Sequence, residues 1–344
     1  MSHFVPAHRS SFEYQLEQNL RRHSVAGQGV LLAVSGGRDS MALLYGMTRL
    51  RGVLGIPQIV VAHLNHGLRG EAGRNDAGLV RSVCKSLDVQ AVIAECGAGQ
   101  LERASRGSLE EAARIARYEF LQTTAQHHGI LLIATAHHAA DQAETVLHNI
   151  LRGTGLRGLR GIPERRRLGD TVELIRPMLT MTDNAIAEFI QQHSIAIASD
   201  ATNIDSRFTR NRIRHELLPQ LQSEFNAQVP DALLRLAAQT QELLQSLDAI
   251  AETLLAEAVL EQTAEYCRLD VKPLRQQPEP MVRHALTVLW LQQRWPRRDM
   301  SRDHWQRLTA MLLDPSLSSI DLPSGVRAEL RGNLLALQIR SRQQ

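Results

Sequence analysis

The 344-residue chain has little cysteine and almost no lysine. Its three cysteines, Cys84, Cys96 and Cys267, are an odd set without Cys-x-x-Cys spacing, which argues against a disulfide framework and for a reducing compartment, the cytoplasm. No apolar stretch opens the chain in the manner of a signal peptide. No run approaches the roughly 20 apolar residues of a membrane helix, so a soluble protein with no membrane partner is expected. Both common phosphate-loop fingerprints are missing: there is no Gly-Lys-Ser/Thr, and no third glycine of a dinucleotide-binding turn. Internal repeats and low-complexity tracts are absent as well.

Arginine fills the gap that lysine leaves. Lys85 and Lys272 are the only lysines, so the formal net charge of +3 rests on guanidinium groups, whose planar fork suits phosphate. The charge is uneven. Residues 224–270 hold nine acidic and two basic residues, whereas 271–344 hold twelve basic and six acidic. A phosphate-bearing partner would be repelled by the first stretch and drawn to the second. The length allows two or three domains, each with its own core.

The first two-thirds alternate as a parallel α/β domain does. Apolar strands are expected over 30–34, 58–63, 89–95 and 130–136, with helices over 40–50, 72–87, 108–128 and 139–151. Ser108 and Glu111 form a capping-box pattern, and Gly129 closes the third helix. A strand at 172–175 and helices at 183–193 and from about 211 to 219 follow. Beyond them the pattern is mostly helical, at 231–260, 281–293 and 302–313, before a β-hairpin about Gly332-Asn333. The expected fold is therefore α/β, a doubly wound parallel sheet over 1–222, followed by a mainly helical domain over 223–344 that ends in a β-hairpin. Its ligand should lie at the carboxyl ends of the strands, where Ser35, His63 and His137 fall.

Three constellations carry chemistry. From Val30 to Leu44 an apolar strand, a Gly36-Gly37 turn edged by Ser35 and Ser40, and a helix form a phosphate cradle: the glycines bare the backbone N–H groups and the helix start adds partial positive charge. Asp39 is placed to hold Mg2+. An ordinary Gly-Gly turn would read similarly. At Thr135-Ala136-His137-His138-Ala139-Ala140-Asp141, His137 and Asp141 share a face if the helix begins early, ready to orient ATP, bind Mg2+ or move protons. Zinc binding and simple end-capping by the histidines remain alternatives. Two arginine-rich stretches follow. One is a glycine-rich loop with Arg152 and Arg157, expected to be flexible. In the other, Arg207, Arg210 and Arg214 lie at helical spacing, Arg212 points elsewhere, and Phe208 offers a stacking surface for an unpaired base. Either could be merely solvated.

The fragment SGGRDS resembles the PP-loop of the N-type ATP pyrophosphatases. HLNHGLRGEAGRND, SLEEAARIARYEFL, ATAHHAADQAETVL, RGTGLRGLRGI and RNRIRHELLP then follow in the order and spacing of the tRNA(Ile)-lysidine synthetases, across roughly the first 220 residues. The resemblance implies ATP as co-substrate, Mg2+, free L-lysine, and an isoleucine tRNA with a CAU anticodon whose wobble cytidine is adenylated and then joined to lysine. By motif it assigns Ser35, Gly36, Gly37, Arg38, Asp39 and Ser40 to ATP; Asp39, His137, Asp141, Arg117 and Arg212 to catalysis; Asp39 and Asp141 to the metal; and Arg152, Arg157, Arg207, Arg210 and Arg214 to tRNA. Two departures stand out. Ala140 replaces a second acid found in many relatives, and only one C-terminal domain is expected. The competing readings are another PP-loop tRNA-modifying synthetase and a non-catalytic nucleotide and RNA binder. Monomer and homodimer are both left open.

Overall fold

A computed structural model describes residues 10–97, 109–198, 209–297, 299–314 and 317–339. They fall into two compact units, Met1–Ala238 and Gln239–Gln344. The capping pattern at Ser108, and Arg207 and Phe208 of the second arginine stretch, lie outside the described residues.

The first unit opens on α1 (Ser11–Arg22), a helix the sequence reading passes over. A reciprocal capping box starts it: Glu13 N–H donates to Ser10 Oγ at 3.2 Å, and Ser10 N–H donates to Glu13 Oε2 at 3.0 Å. Then come β1 (Val30–Ala33), α2 (Arg38–Leu50), β2 (Ile59–Asn65), α3 (Gly70–Ser86), β3 (Gln90–Glu95) and α4 (Leu109–His127). β4 (Leu132–Ala134), α5 (Ala139–Leu151), β5 (Arg165–Leu168), β6 (Val172–Ile175) and α6 (Asp183–Gln192) complete the α/β part. The strand order is β3-β2-β1-β4-β6-β5, and β1 pairs in parallel with both β2 and β4. The winding therefore reverses between β1 and β4, which opens a crevice beyond their carboxyl ends.

Side-chain alternation along β1 builds both cores. Val30 and Leu32 face α1, α2 and α6, where Phe12, Leu43, Met47 and Phe189 are buried and the rings of Phe12 and Phe189 stack at 4.2 Å. Leu31 faces α4 with Tyr118, Leu121 and Ala125. The unanticipated strand is β5, which pairs antiparallel with β6 around Gly169 at φ +70°. Its Arg165-Arg166-Arg167 run has no apolar alternation, and an edge strand needs none.

After α6, a helical run starts at Thr209–Arg212, passes through a π turn at Ile213–Leu217 in which Leu218 N–H reaches Ile213 O, and ends as Leu218–Glu224. Ile213 and Leu218 pack on Ala143, Val146 and Leu147 of α5 and on Leu233 and Ala237 of α7 (Val229–Ala258). That contact fixes the arginines of the run against α5.

The second unit takes the end of α7, then β7 (Val259–Gln262), β8 (Tyr266–Asp270), α8 (Glu279–Gln292), α9 (Arg302–Leu313), β9 (Ser319–Leu322), β10 (Val326–Arg331) and β11 (Leu334–Ile339). The expected hairpin is β10–β11, with Leu330 opposite Leu335, but it belongs to a five-stranded antiparallel sheet in the order β7-β8-β11-β10-β9. The helix expected to reach 260 stops at Ala258, because Val259–Gln262 pairs with β8 instead. β8 and β9 do alternate, with Cys267 and Leu269, and Ile320 and Leu322, buried between exposed or half-buried neighbours, a short period-two signal that the mainly helical reading passes over. Trp290 centres this core with Trp295 and Trp305 edge-on at 4.9 and 5.4 Å. No helix among the described residues is long and apolar enough to cross a membrane.

Gly46 lets α1 lie close on α2, since a Cβ there would stand 2.5 Å from Leu16 Cδ2 and 2.9 Å from Phe12 Cε1. Gly46→Ala should therefore cost about 1–3 kcal/mol of stability by overpacking. A urea titration checks this: the midpoint falls at unchanged slope, and an unmoved midpoint would mean that α1 yields freely.

Candidate active site

The loop after β1 is held by its own hydroxyls. Ser35 N–H donates to Ser40 Oγ at 3.2 Å, Ser40 Oγ donates to Gly37 O at 2.9 Å, and Gly37 N–H donates to Ser35 Oγ at 3.3 Å. Gly36 takes φ +94°, a conformation that favours glycine, and its carbonyl accepts from Ala198 N–H at 3.0 Å. Gly37 caps α2 and has no side chain to satisfy the first-turn N–H groups, which leaves a helix start suited to an anion. His63, at the end of β2, braces the loop through Nδ1 on Val34 O at 2.9 Å.

Across the crevice, α5 begins at Ala139 rather than earlier, so His137 and Asp141 do not share a helix face as expected. His138 is the N-cap instead. Its N–H donates to Asp141 Oδ2 at 3.0 Å, and its Nδ1 accepts from Ala140 N–H at 3.4 Å. That bond leaves the proton of the neutral ring on Nε2, which points at Asp39 Oδ2 (3.5 Å) and Asp141 Oδ2 (3.7 Å), while Asp183 Oδ1 lies 3.7 Å from Nδ1. A fully buried imidazole thus stands among three carboxylates. Burial disfavours its cation, yet Asp39, Asp141 and Asp183 raise its pKa above the ordinary 6.5. Burial likewise works to raise Asp39, but His138 and Arg38 outweigh it and hold the carboxyl below its ordinary 3.8.

His137 behaves oppositely. Burial and Arg176, helped by Arg117 and Arg210 and opposed by Asp141, push it down to about 3, so the ring is neutral at physiological pH. Its Nδ1 lies 3.0 Å from Thr135 Oγ1. Beyond it Glu144, 2% exposed, receives Arg214 Nε at 2.7 Å and Arg210 Nε at 3.2 Å, and Arg210 also reaches Asp141 Oδ1 at 3.4 Å. Burial raises Glu144, with the two arginines pulling the other way.

These groups surround one cleft of about 1790 Å3 lined by Ser35, Gly37, Arg38, Asp39, Ser40, Arg117, His137, Asp141 and Arg214. No three His, Cys, Asp or Glu side chains among the described residues converge as a metal cluster. The Asp39 and Asp141 oxygens meeting at His138 Nε2 do fit Mg2+, a hard cation usually held by one or two carboxylates with phosphate oxygens and water.

The PP-loop domain family matches residues 8–221. Over 335 residues the chain is 33% identical to the tRNA(Ile)-lysidine synthase of Nostoc sp., covering 92% of this chain and 93% of that one. The chain belongs to the tRNA(Ile)-lysidine synthase family. It is 42% identical to the Symbiobacterium thermophilum tRNA(Ile)-lysidine synthase over 67% of its own length but 47% of that protein. It spans about half the length of that relative and of two Thermotoga ones. Among solved structures, the U34-tRNA thiolase NcsA of Methanococcus maripaludis shares the fold, with a TM-score of 0.55 and 14% identity over 67% of this chain and 78% of that one.

Within this lysidine synthase fold, not every expected residue reaches the cleft. Arg212 pairs with Glu216 on the exposed side of its helix, while its neighbours Arg210 and Arg214 turn inward to Glu144. Arg38 is gripped by Asp183 through two bonds of 3.0 and 2.7 Å and by Asp39 at 3.0 Å. Arg152 is exposed and Arg157 half-buried, both away from the cleft. Their loop, expected to be flexible, is tied down: Gln142 Nε2 donates to Arg160 O and Ile162 O, and Asn149 Nδ2 donates to Gly158 O. Sequence reasoning missed His138, Glu144 and Asp183. The first two stand inside the HHxxDxxET motif and could have been found there; Asp183 sits 145 positions from Arg38, with no local mark.

The His138–Asp39 contact has a pH signature. Asp39 is depressed, so its contribution is full above 3.8 and lost as pH falls through its folded pKa. His138 is raised, so its contribution is full below 6.5 and lost as pH rises through its folded pKa. The stability difference between wild type and Asp39→Asn should be largest between these two values and shrink on both sides. Urea midpoints across that range test it, and a difference independent of pH would refute the pairing.

Proposed function

We propose that this chain joins free lysine to C2 of the wobble cytidine in the CAU anticodon of an isoleucine tRNA, using ATP and releasing AMP and pyrophosphate. The observation that carries the reading is the facing of two motifs across the β1/β4 crevice, a phosphate cradle on one side and His137 and Asp141 on the other with His138 buried behind them, in a member of this family. Cytosine O2 attacks the α-phosphorus of ATP and the bond to pyrophosphate breaks. The ε-amine of lysine then attacks C2, the C2–O bond breaks, and AMP departs with that oxygen.

The residues divide this work. The N–H groups of the first turn of α2, with Ser35 and Ser40, receive the pyrophosphate, whose negative charge matches the helix start. Asp39 and Asp141 would hold Mg2+, which when bound neutralises phosphate charge. His138 keeps the two carboxylates facing each other. His137, uncharged in the free protein, gains proton affinity once phosphates lie beside it, which suits it to take the proton that the amine sheds. Arg210 and Arg214, fixed by Glu144, edge the cleft where an RNA loop enters, and the exposed Arg152 and Arg212, with the half-buried Arg157, meet its backbone. The C-terminal unit reads the tRNA beyond its anticodon, as rejection of a methionine tRNA with the same anticodon requires. Such a reaction belongs in the cytoplasm.

Purified protein incubated with ATP, labelled lysine and total tRNA should place label in one isoleucine tRNA. Modification without lysine, or tight ATP binding with no label transferred, would overturn the reading. Asp39→Ala should slow tRNA-dependent pyrophosphate release by roughly 10²-fold or more. Near-normal exchange of ATP and pyrophosphate in that variant would remove Asp39 from the site.

A further inference from the structure

On the α4 side of the cleft four arginines gather on one tyrosine. The guanidinium carbons of Arg114, Arg117 and Arg166 lie 5.5, 5.6 and 4.9 Å from the centre of the Tyr118 ring. Arg176, at the end of β6, approaches the same phenol from within the protein. It is 4% exposed, donates Nη1 to Pro163 O at 2.6 Å, and leaves Nε without a hydrogen-bond partner. None of the four forms an ion pair with a carboxylate among the described residues.

This arrangement is costly for the protein by itself. A ring face attracts a cation, but three guanidiniums over one ring and a fourth at its phenol repel one another, and a buried guanidinium nitrogen without a partner adds to the cost. The local potential is visible in neighbouring groups. Burial pushes Arg176 down to about 10, with Arg166 and Arg114 adding to the shift and Tyr118 opposing it. Tyr118 is lowered although burial works to raise it, because all four arginines favour the phenolate. An anion is the missing component.

Position says whose anion. Arg117 and Tyr118 line the cleft, so the cluster continues it outward from His137. β5 and β6 lie on the far side of β4 from β1, and Arg165 pairs with Ile175 at the carboxyl end of β6. A triphosphate anchored in the loop after β1 is two strands away, roughly 10 Å at the usual strand spacing. We propose that Arg114, Arg117, Arg166 and Arg176 around Tyr118 form a phosphodiester subsite that grips the RNA backbone beside the nucleotide being modified. The proposal rests on the RNA-modifying reading above and adds to it the place where the strand is held.

The test uses the full chain, an anticodon stem-loop RNA with a CAU loop, and the same RNA carrying uncharged methylphosphonates at the linkages flanking the wobble cytidine. Arg166→Ala and Arg114→Ala, both at exposed positions, should each weaken binding of the charged RNA roughly tenfold and lower its salt slope by about 1, with ATP affinity unchanged. The methylphosphonate RNA should bind wild type more weakly than the charged RNA binds either single variant, and Arg166→Ala should weaken binding of the methylphosphonate RNA no further. Unchanged RNA affinity in both variants overturns the subsite, as does loss of ATP or lysine affinity in its place. Wild type that binds the RNA as described but transfers no lysine sinks the lysidine reading while the subsite stands. Wild type that transfers lysine while both variants bind RNA normally sinks the subsite alone.

Discussion

The meeting of Asp39 and Asp141 at His138 ties the two sides of the cleft together. Asp39 stands in the first turn of α2 and Asp141 in the first turn of α5, and these helices follow β1 and β4, the neighbouring strands between which the winding reverses. Two carboxylates this near would repel each other in a low dielectric, and the shared imidazole replaces that repulsion with attraction. Asp183, at the start of α6, extends the link by facing His138 on one side and gripping Arg38 on the other. The starts of three helices are thereby coupled through one buried ring. If His138 were lost, the pairing of β1 with β4 would still hold the two walls side by side, but Asp39 and Asp141 would face each other with no imidazole between them.

Charge is sorted around that centre. Acids cluster where a divalent cation and phosphates would come together, and arginines stand farther out: Arg210 and Arg214 at Glu144, and the group on Tyr118. The two histidines differ in protonation because their neighbours differ. His138 faces carboxylates that outweigh its burial and raise it, whereas burial, with guanidiniums adding to it, lowers His137 to about 3. Adjacent residues of one motif can thus serve separate roles, positioning for one and proton transfer for the other.

Much of the α/β unit was legible because buried parallel strands appear as short apolar runs and their crossover helices as longer periodic ones. α1 and β5 were not. The capping box at Ser10 and Glu13 was overlooked, and the arginine run of β5 lacks the alternation by which a strand is recognised. In the second unit the hairpin at Gly332-Asn333 was readable from its turn, whereas β8 is joined to it by pairing with β11, more than 60 residues on, and β7 and β9 flank that sheet as short strands beside β8 and β10.

For the site, sequence alone determined the phosphate cradle, since two glycines, two hydroxyls and a helix start are contiguous and their chemistry is local. It also determined which stretches are rich in arginine. Only the tertiary structure decided which way those arginines face. A π turn and the packing of Ile213 on α5 send Arg210 and Arg214 to Glu144 and leave Arg212 outside, a choice made by contacts 66 residues apart in the chain. It likewise decided that His138 rather than His137 bridges the acids, because α5 begins at Ala139 and makes His138 its N-cap, while His137 lines the cleft. Local chemistry is written in neighbouring residues; orientation is fixed by what packs behind them.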